Sequence, residues 1–104
     1  MLTFNLKKEW FEKIKSGEKT HEYREVSEYW NKRLFSYRYE YFHTQFPEEF
    51  PICFACGYPK KDDKEKRLYA KIKDINVVWG EYTDLKIQRN VFDIEFELIG
   101  DKDD

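Results

Sequence analysis

Between Ser16 and Val26 the chain reads Ser-Gly-Glu-Lys-Thr-His-Glu-Tyr-Arg-Glu-Val, and three of these side chains have the types and spacing to hold a polar ligand. Glu22 and Arg24 are two apart, so on an extended strand they share a face and can pair or meet a ligand together. An arginine fork grips a phosphate with two prongs or hydrogen-bonds the edge of a guanine. A glutamate beside it accepts from the exocyclic amine of a base, or orients the arginine. Lys19 reaches a phosphate as a point charge, and a lysine desolvated near an arginine can act as a base. In a regular strand Lys19, three positions before Glu22, points away from that face. The three converge only if Lys19 sits in the turn after Gly17. The plain alternative is a surface Glu22–Arg24 pair with Lys19 in solvent, contributing under roughly 1 kcal/mol.

This stretch has the wrong composition for a core strand. Alternation puts Thr20, Glu22, Arg24 and Val26 on one face and Lys19, His21, Tyr23 and Glu25 on the other, with only Tyr23 and Val26 plainly apolar. A chain of 104 residues holds one domain and one core. It can give a strand to charges only if that strand borders a polar cleft. His21 reads as a flanking residue and Tyr23 as core. For stacking a base, Tyr58 after Gly57, the row Tyr37, Tyr39 and Tyr41, and Trp30 are available, although core packing is the default for any one ring.

The elements that must position these residues follow from periodicity. Residues 1–6 alternate Leu2, Phe4 and Leu6, a first strand. From Lys7 the period changes: Trp10, Phe11 and Ile14 share a stripe, and Gly17 ends the helix. Ser27 is a good N-cap for a second helix from Glu28 to about residue 35, with Tyr29, Trp30, Leu34 and Arg33 to pack. Residues 36–42 alternate as a strand, and Pro47 and Pro51 bracket a loop. A further strand runs over residues 52–58. The longest strand, 68–79, switches parity at Lys73-Asp74, where a bulge is expected. Residues 80–90 connect, with a short strand at 85–87. The last strand points Phe92, Ile94, Phe96 and Leu98 inward.

Aromatic residues make up 19% of the chain and charged residues 38%, which predicts a core built from rings under a well-solvated surface. The net charge of −2 argues against a general polyanion binder. The eight consecutive charges from Lys60 to Arg67 read as a solvated hairpin loop, with a basic flap over a nucleic-acid backbone as the sharper alternative. Cys53 and Cys56, three apart on a strand, face opposite ways and read as structural thiols; no metal and no cofactor is expected. No apolar run spans a bilayer and no signal-peptide layout opens the chain, so a soluble cytoplasmic protein is expected.

The segment Gly17-Glu-Lys19-Thr-His-Glu22-Tyr-Arg24 resembles the G-x-K-x-x-E-x-R signature of the ASCH domain family, a branch of the PUA-like superfamily. The likeness extends back through the helix from Trp10 to Ser16, and forward to Gly57-Tyr58, the long strand and the closing Phe92-Asp-Ile-Glu-Phe-Glu-Leu. It implies an α+β fold: a small, mostly antiparallel PUA-like β-barrel flanked by two helices, one ASCH-like domain over residues 1–100 with an acidic tail at 101–104. It also implies a cleft between barrel and helices that binds RNA, a nucleotide or a modified nucleobase, with Lys19, Glu22, Arg24 and Tyr58 as ligand contacts. Some ASCH-like proteins are hydrolases of acylated nucleosides or of RNA, in which case Lys19 and Glu22 are the catalytic pair. The deacylase pattern places a threonine three residues after the lysine and an acid further along; here Glu22 stands in the threonine position. A third reading makes the tyrosine-rich strand a protein interface. Oligomeric state is open.

Overall fold

Within residues 2–34 and 51–99, which the computed structural model describes, the alternation of Leu2, Phe4 and Leu6 becomes strand β1 (Leu2–Leu6). Helix α1 (Lys8–Lys15) buries Phe11 and Ile14, and carries Glu9 in its first turn and Lys13 and Lys15 in its last, each complementing the helix dipole. Gly17 follows with φ +84°, a left-handed conformation that costs glycine least. The chain then turns back so that the Lys19 N–H donates to the Lys13 carbonyl at 3.0 Å. Lys19 therefore lies in the turn, and strand β2 (His21–Glu25) begins two residues later.

Residues 28–34 are helical and form the described part of α2. Its N-cap is Ser27, whose Oγ accepts from the Trp30 N–H at 3.2 Å. Trp30 and the fully buried Leu34, one turn apart, face the core. Tyr29 and Arg33, expected to pack, form a second pair one turn apart that faces outward: Tyr29 is 54% exposed and the Arg33 guanidinium lies 3.4 Å from its ring centroid. A helix this short has one buried stripe, and Trp30 and Leu34 fill it. The strand expected at 36–42, with its tyrosines, lies outside the described residues, as does the tail.

Strands β3 (Pro51–Cys56), β4 (Arg67–Trp79) and β5 (Asn90–Leu98) complete a five-stranded sheet in the order β1-β3-β4-β5-β2. β1 runs parallel to β3 and the other three ladders are antiparallel. The sheet curls into a half-barrel with two helices. Among the described residues β1 and β2 do not pair, and a seam lies between these two end strands of the half-barrel.

The register of β4 against β5 slips between Ile72 and Asp74, which lets Ile72 and Ile75 both point inward although their parities differ. The bulge sits where the parity switch predicted it. The core is less purely aromatic than expected. Phe4, Phe11, Phe54, Phe92 and Phe96 share it with Ile14, Ile52, Ile72, Ile75 and Ile94. Phe54 is the hub, with ring centroids 5.6 Å from Phe4 and 4.6 Å from Phe96. Leu98, read as inward, is exposed at the rim, as are Val77 and Trp79 of β4.

The charge run at 60–67 is the β3–β4 hairpin loop, closed by Arg67, whose Nη2 donates to the Pro59 carbonyl at 2.9 Å. Residues 85–87 run out of a turn at 84–85 without regular structure, with Lys86 at φ 52°, and are not a strand. Gly80 presses against the far end of the same loop: a Cβ there would lie 2.7 Å from the Arg89 carbonyl oxygen. Its N–H donates to that oxygen at 2.8 Å, pinning the loop shut.

Candidate functional site

Among the described residues β2 pairs with β5 along one side only. Its other side looks across the seam toward β1, and the polar residues read from sequence gather there. Glu22 and Arg24 point to one face, as their spacing requires, and Arg24 Nη2 lies 2.9 Å from Glu22 Oε2. The same Nη2 donates to the Asn5 carbonyl of β1 at 3.2 Å, so the arginine bridges the two end strands. The other carboxylate oxygen, Oε1, accepts from the Tyr23 N–H at 3.1 Å. Glu22 is 6% exposed, a carboxylate held inside the fold by these partners. The Arg24 guanidinium carbon sits 5.2 Å from the Phe4 ring centroid and 5.1 Å from that of Trp30, and its Nε is buried without a hydrogen-bond partner.

Lys19 enters from the turn. Its Nζ is 3.5 Å from Glu22 Oε1 and pairs with Asp84 Oδ2, while the Trp10 and Tyr23 ring centroids lie 5.2 and 5.0 Å away. The ammonium is thus boxed by two carboxylates and two aromatic faces, with its side chain 8% exposed. The two cations and two anions of the cluster balance.

These groups line a cavity of about 450 Å³ at the seam, together with Asn5, Lys7, Trp10, Tyr23, Trp30 and Leu85. That volume falls in the range of small-ligand pockets. Lys19, Glu22 and Arg24 are brought together. Tyr58 is not part of the walls; it follows Gly57 and is 91% exposed. His21 flanks the site from the other face, its Nδ1 2.7 Å from Asp93 Oδ1 and its Nε2 3.4 Å from Glu95 Oε2. Tyr23, read as core, is half-buried and lines the cavity. Burial pushes its phenol above the ordinary value of 10.0, and the carboxylates of Asp93, Asp84 and Glu22 push it further.

Sequence reasoning missed three contributors. Trp10 was assigned wholly to the helix stripe, yet it stands at the stripe's edge, where a long ring reaches both core and cleft. The Asn5 carbonyl acts through the backbone, and no side-chain pattern marks it. Asp84 is brought in by the loop pinned at Gly80, from 65 positions away. Among the described residues no group of three or more His, Cys, Asp or Glu is placed to hold a metal ion. Cys53 and Cys56 are free thiols on the extended β3. No described helix is long and apolar enough to cross a membrane. Compared with family models, curated proteins and solved structures, the chain matches none.

Two outcomes follow from this geometry. Arg24→Met takes the arginine from the buried Glu22 carboxylate, leaving it Lys19 and the Tyr23 N–H, and should lower stability in urea unfolding by about 3 kcal/mol, the low end of the cost of breaking a buried pair. The double variant Glu22→Leu/Arg24→Met should recover part of that loss, the remainder reflecting the Asn5 carbonyl, the Tyr23 N–H and Lys19, which lose their partners; additive losses would mean that the two residues are not coupled. The second concerns Tyr23. The fold holds its phenolic proton more tightly than the unfolded chain does, so stability is unaffected well below pH 10.0 and falls as the pH rises through and beyond it. Tyr23→Phe should therefore flatten the alkaline limb of a pH–stability profile; superimposable profiles would rule the effect out.

Proposed function

We propose that the seam cleft binds a nucleobase, presented by RNA, by a nucleotide or as a modified base, and that the chain is an ASCH-like member of the PUA-like superfamily. The observation that carries this reading is the convergence of Lys19, Glu22 and Arg24 in one sheltered concave site lined by three aromatic rings. The order strand, helix, turn, strand, the left-handed Gly17 and the long bulged β4 agree with the resemblance. Chemically, Arg24 offers donors at a rigid fork, and Trp10, Tyr23 and Trp30 offer flat apolar surface. Donors beside rings in a partly desolvated cleft suit a planar heterocycle with acceptors on its edge.

One observation favours hydrolysis of acylated nucleosides as a second reading. Lys19 is paired with an acid from far along the chain, Asp84, as the deacylase pattern implies. Glu22 replaces the threonine of that pattern, and its carboxylate is fully engaged by Arg24, Lys19 and the Tyr23 N–H. A bound water would then have to serve as nucleophile.

Titration of the protein with nucleosides and short single-stranded RNAs, followed by fluorescence of Trp10 and Trp30, tests the first reading. Saturable quenching is expected, weakened at least about tenfold in Arg24→Lys, which keeps the charge and loses the fork. A folded protein that responds to neither ligand class ends the reading. For the second, an acetylated cytidine should be consumed with a rate that collapses in Lys19→Met; turnover equal to that of buffer removes it.

A further inference from the structure

The Lys19 ammonium has three N–H donors and no open side. Two carboxylates and two ring faces surround it, and its side chain is 8% exposed. An incoming phosphate oxygen could reach it only by replacing one of the carboxylates. Glu22 is not replaceable: it is buried, and it also holds Arg24 and the Tyr23 N–H. Asp84 differs. Its side chain is 41% exposed, and it is presented from a loop rather than from the sheet.

That loop is built to keep Asp84 in place. The buried Thr83 donates its hydroxyl to the Gly80 carbonyl at 2.8 Å and accepts from the Leu85 N–H at 3.2 Å, so the residues on both sides of Asp84 are fixed. The Gly80 N–H to Arg89 carbonyl bond closes the loop's base, and Arg89 ion-pairs with Glu25 of β2. Asp84 is therefore held at the tip of a pinned turn directly over the ammonium.

We propose that Asp84 is a specificity-determining residue: it fills the anion position over Lys19 and turns phosphate away from that end of the seam. The role rests on the nucleobase reading and deepens it, because it names the part of a nucleotide that the site leaves outside. The seam as built has no net charge among its four central ionic groups. It accepts the uncharged heterocycle, and a like-charged phosphate oxygen meets Asp84 instead of Lys19.

The test uses inorganic pyrophosphate and the intact chain, followed by amide shifts of Lys19 and Tyr23. Asp84→Asn and Asp84→Ser should each bind pyrophosphate at least about tenfold more tightly than the wild type, and adding Lys19→Met should abolish the gain. Folded Asp84 variants with wild-type affinity overturn the assignment, as does a gain that persists without Lys19. Wild-type protein whose Lys19 and Tyr23 amides already shift with pyrophosphate at low millimolar concentration overturns it without any variant. No nucleobase is needed. A protein that ignores nucleosides but gains pyrophosphate on loss of Asp84 refutes the nucleobase reading and leaves this role of Asp84 standing.

Discussion

The Glu22–Arg24 ion pair ties together the two end strands of the described sheet, which do not pair with each other, by meeting a backbone group on each. Arg24 donates to the Asn5 carbonyl of β1, and Glu22 accepts from the Tyr23 N–H of β2. A single ion pair thus does with side chains what a closed barrel does with a ladder. Two aliphatic residues in these positions would remove the donor to the Asn5 carbonyl and the acceptor of the Tyr23 N–H. The pair is stable there because each ion has several contacts at once, including the Phe4 and Trp30 rings beside the guanidinium.

Once this pair is set, the rest of the site follows by electrostatics. Glu22 has a second oxygen turned toward the open end of the seam, and Lys19, held back by its N–H bond to Lys13, is the cation within reach. Lys19 in turn needs a second counter-charge once Trp10 and Tyr23 have stripped it of water, and Asp84 supplies it. Both rings come from elements with other duties, α1 and β2. The fold and the cleft are therefore one construction.

The sequence made part of this construction legible for a physical reason: strand periodicity of two residues and the helix stop at Gly17 are local rules. They place Glu22 beside Arg24 and mark the bulge at Lys73-Asp74 through the parity switch between Ile72 and Ile75; for Lys19 they set only the condition, a place in the turn after Gly17, without which it faces away. Ser27 as N-cap is local in the same sense. What was hidden depends on tertiary placement. Asp84 reaches Lys19 because Gly80 packs against the Arg89 backbone, a contact without a linear signature. Residues 85–87 look like a strand because apolar and charged residues alternate over three positions, too few to separate a strand from a turn. How the two end strands meet was not legible either, since that depends on tertiary placement and not on what either strand contains.

A structural duty for Glu22 and Arg24 does not compete with a binding duty, because the atoms differ. Both carboxylate oxygens of Glu22 are engaged by the protein, so on the nucleobase reading the glutamate orients its neighbours and does not itself touch the ligand. Both hydrogen bonds of Arg24 leave through Nη2. Its Nε is buried, and among the described residues Nη1 is the terminal nitrogen to which no partner is assigned. Lys19 is enclosed by its four neighbours. What the seam presents to an incoming molecule is therefore the remaining prong of one fixed guanidinium beside three aromatic rings, in a cleft whose ionic groups cancel. On the nucleobase reading, such a surface would discriminate by the acceptor pattern and flatness of the guest, with the Asp84 charge working against phosphate at the Lys19 end.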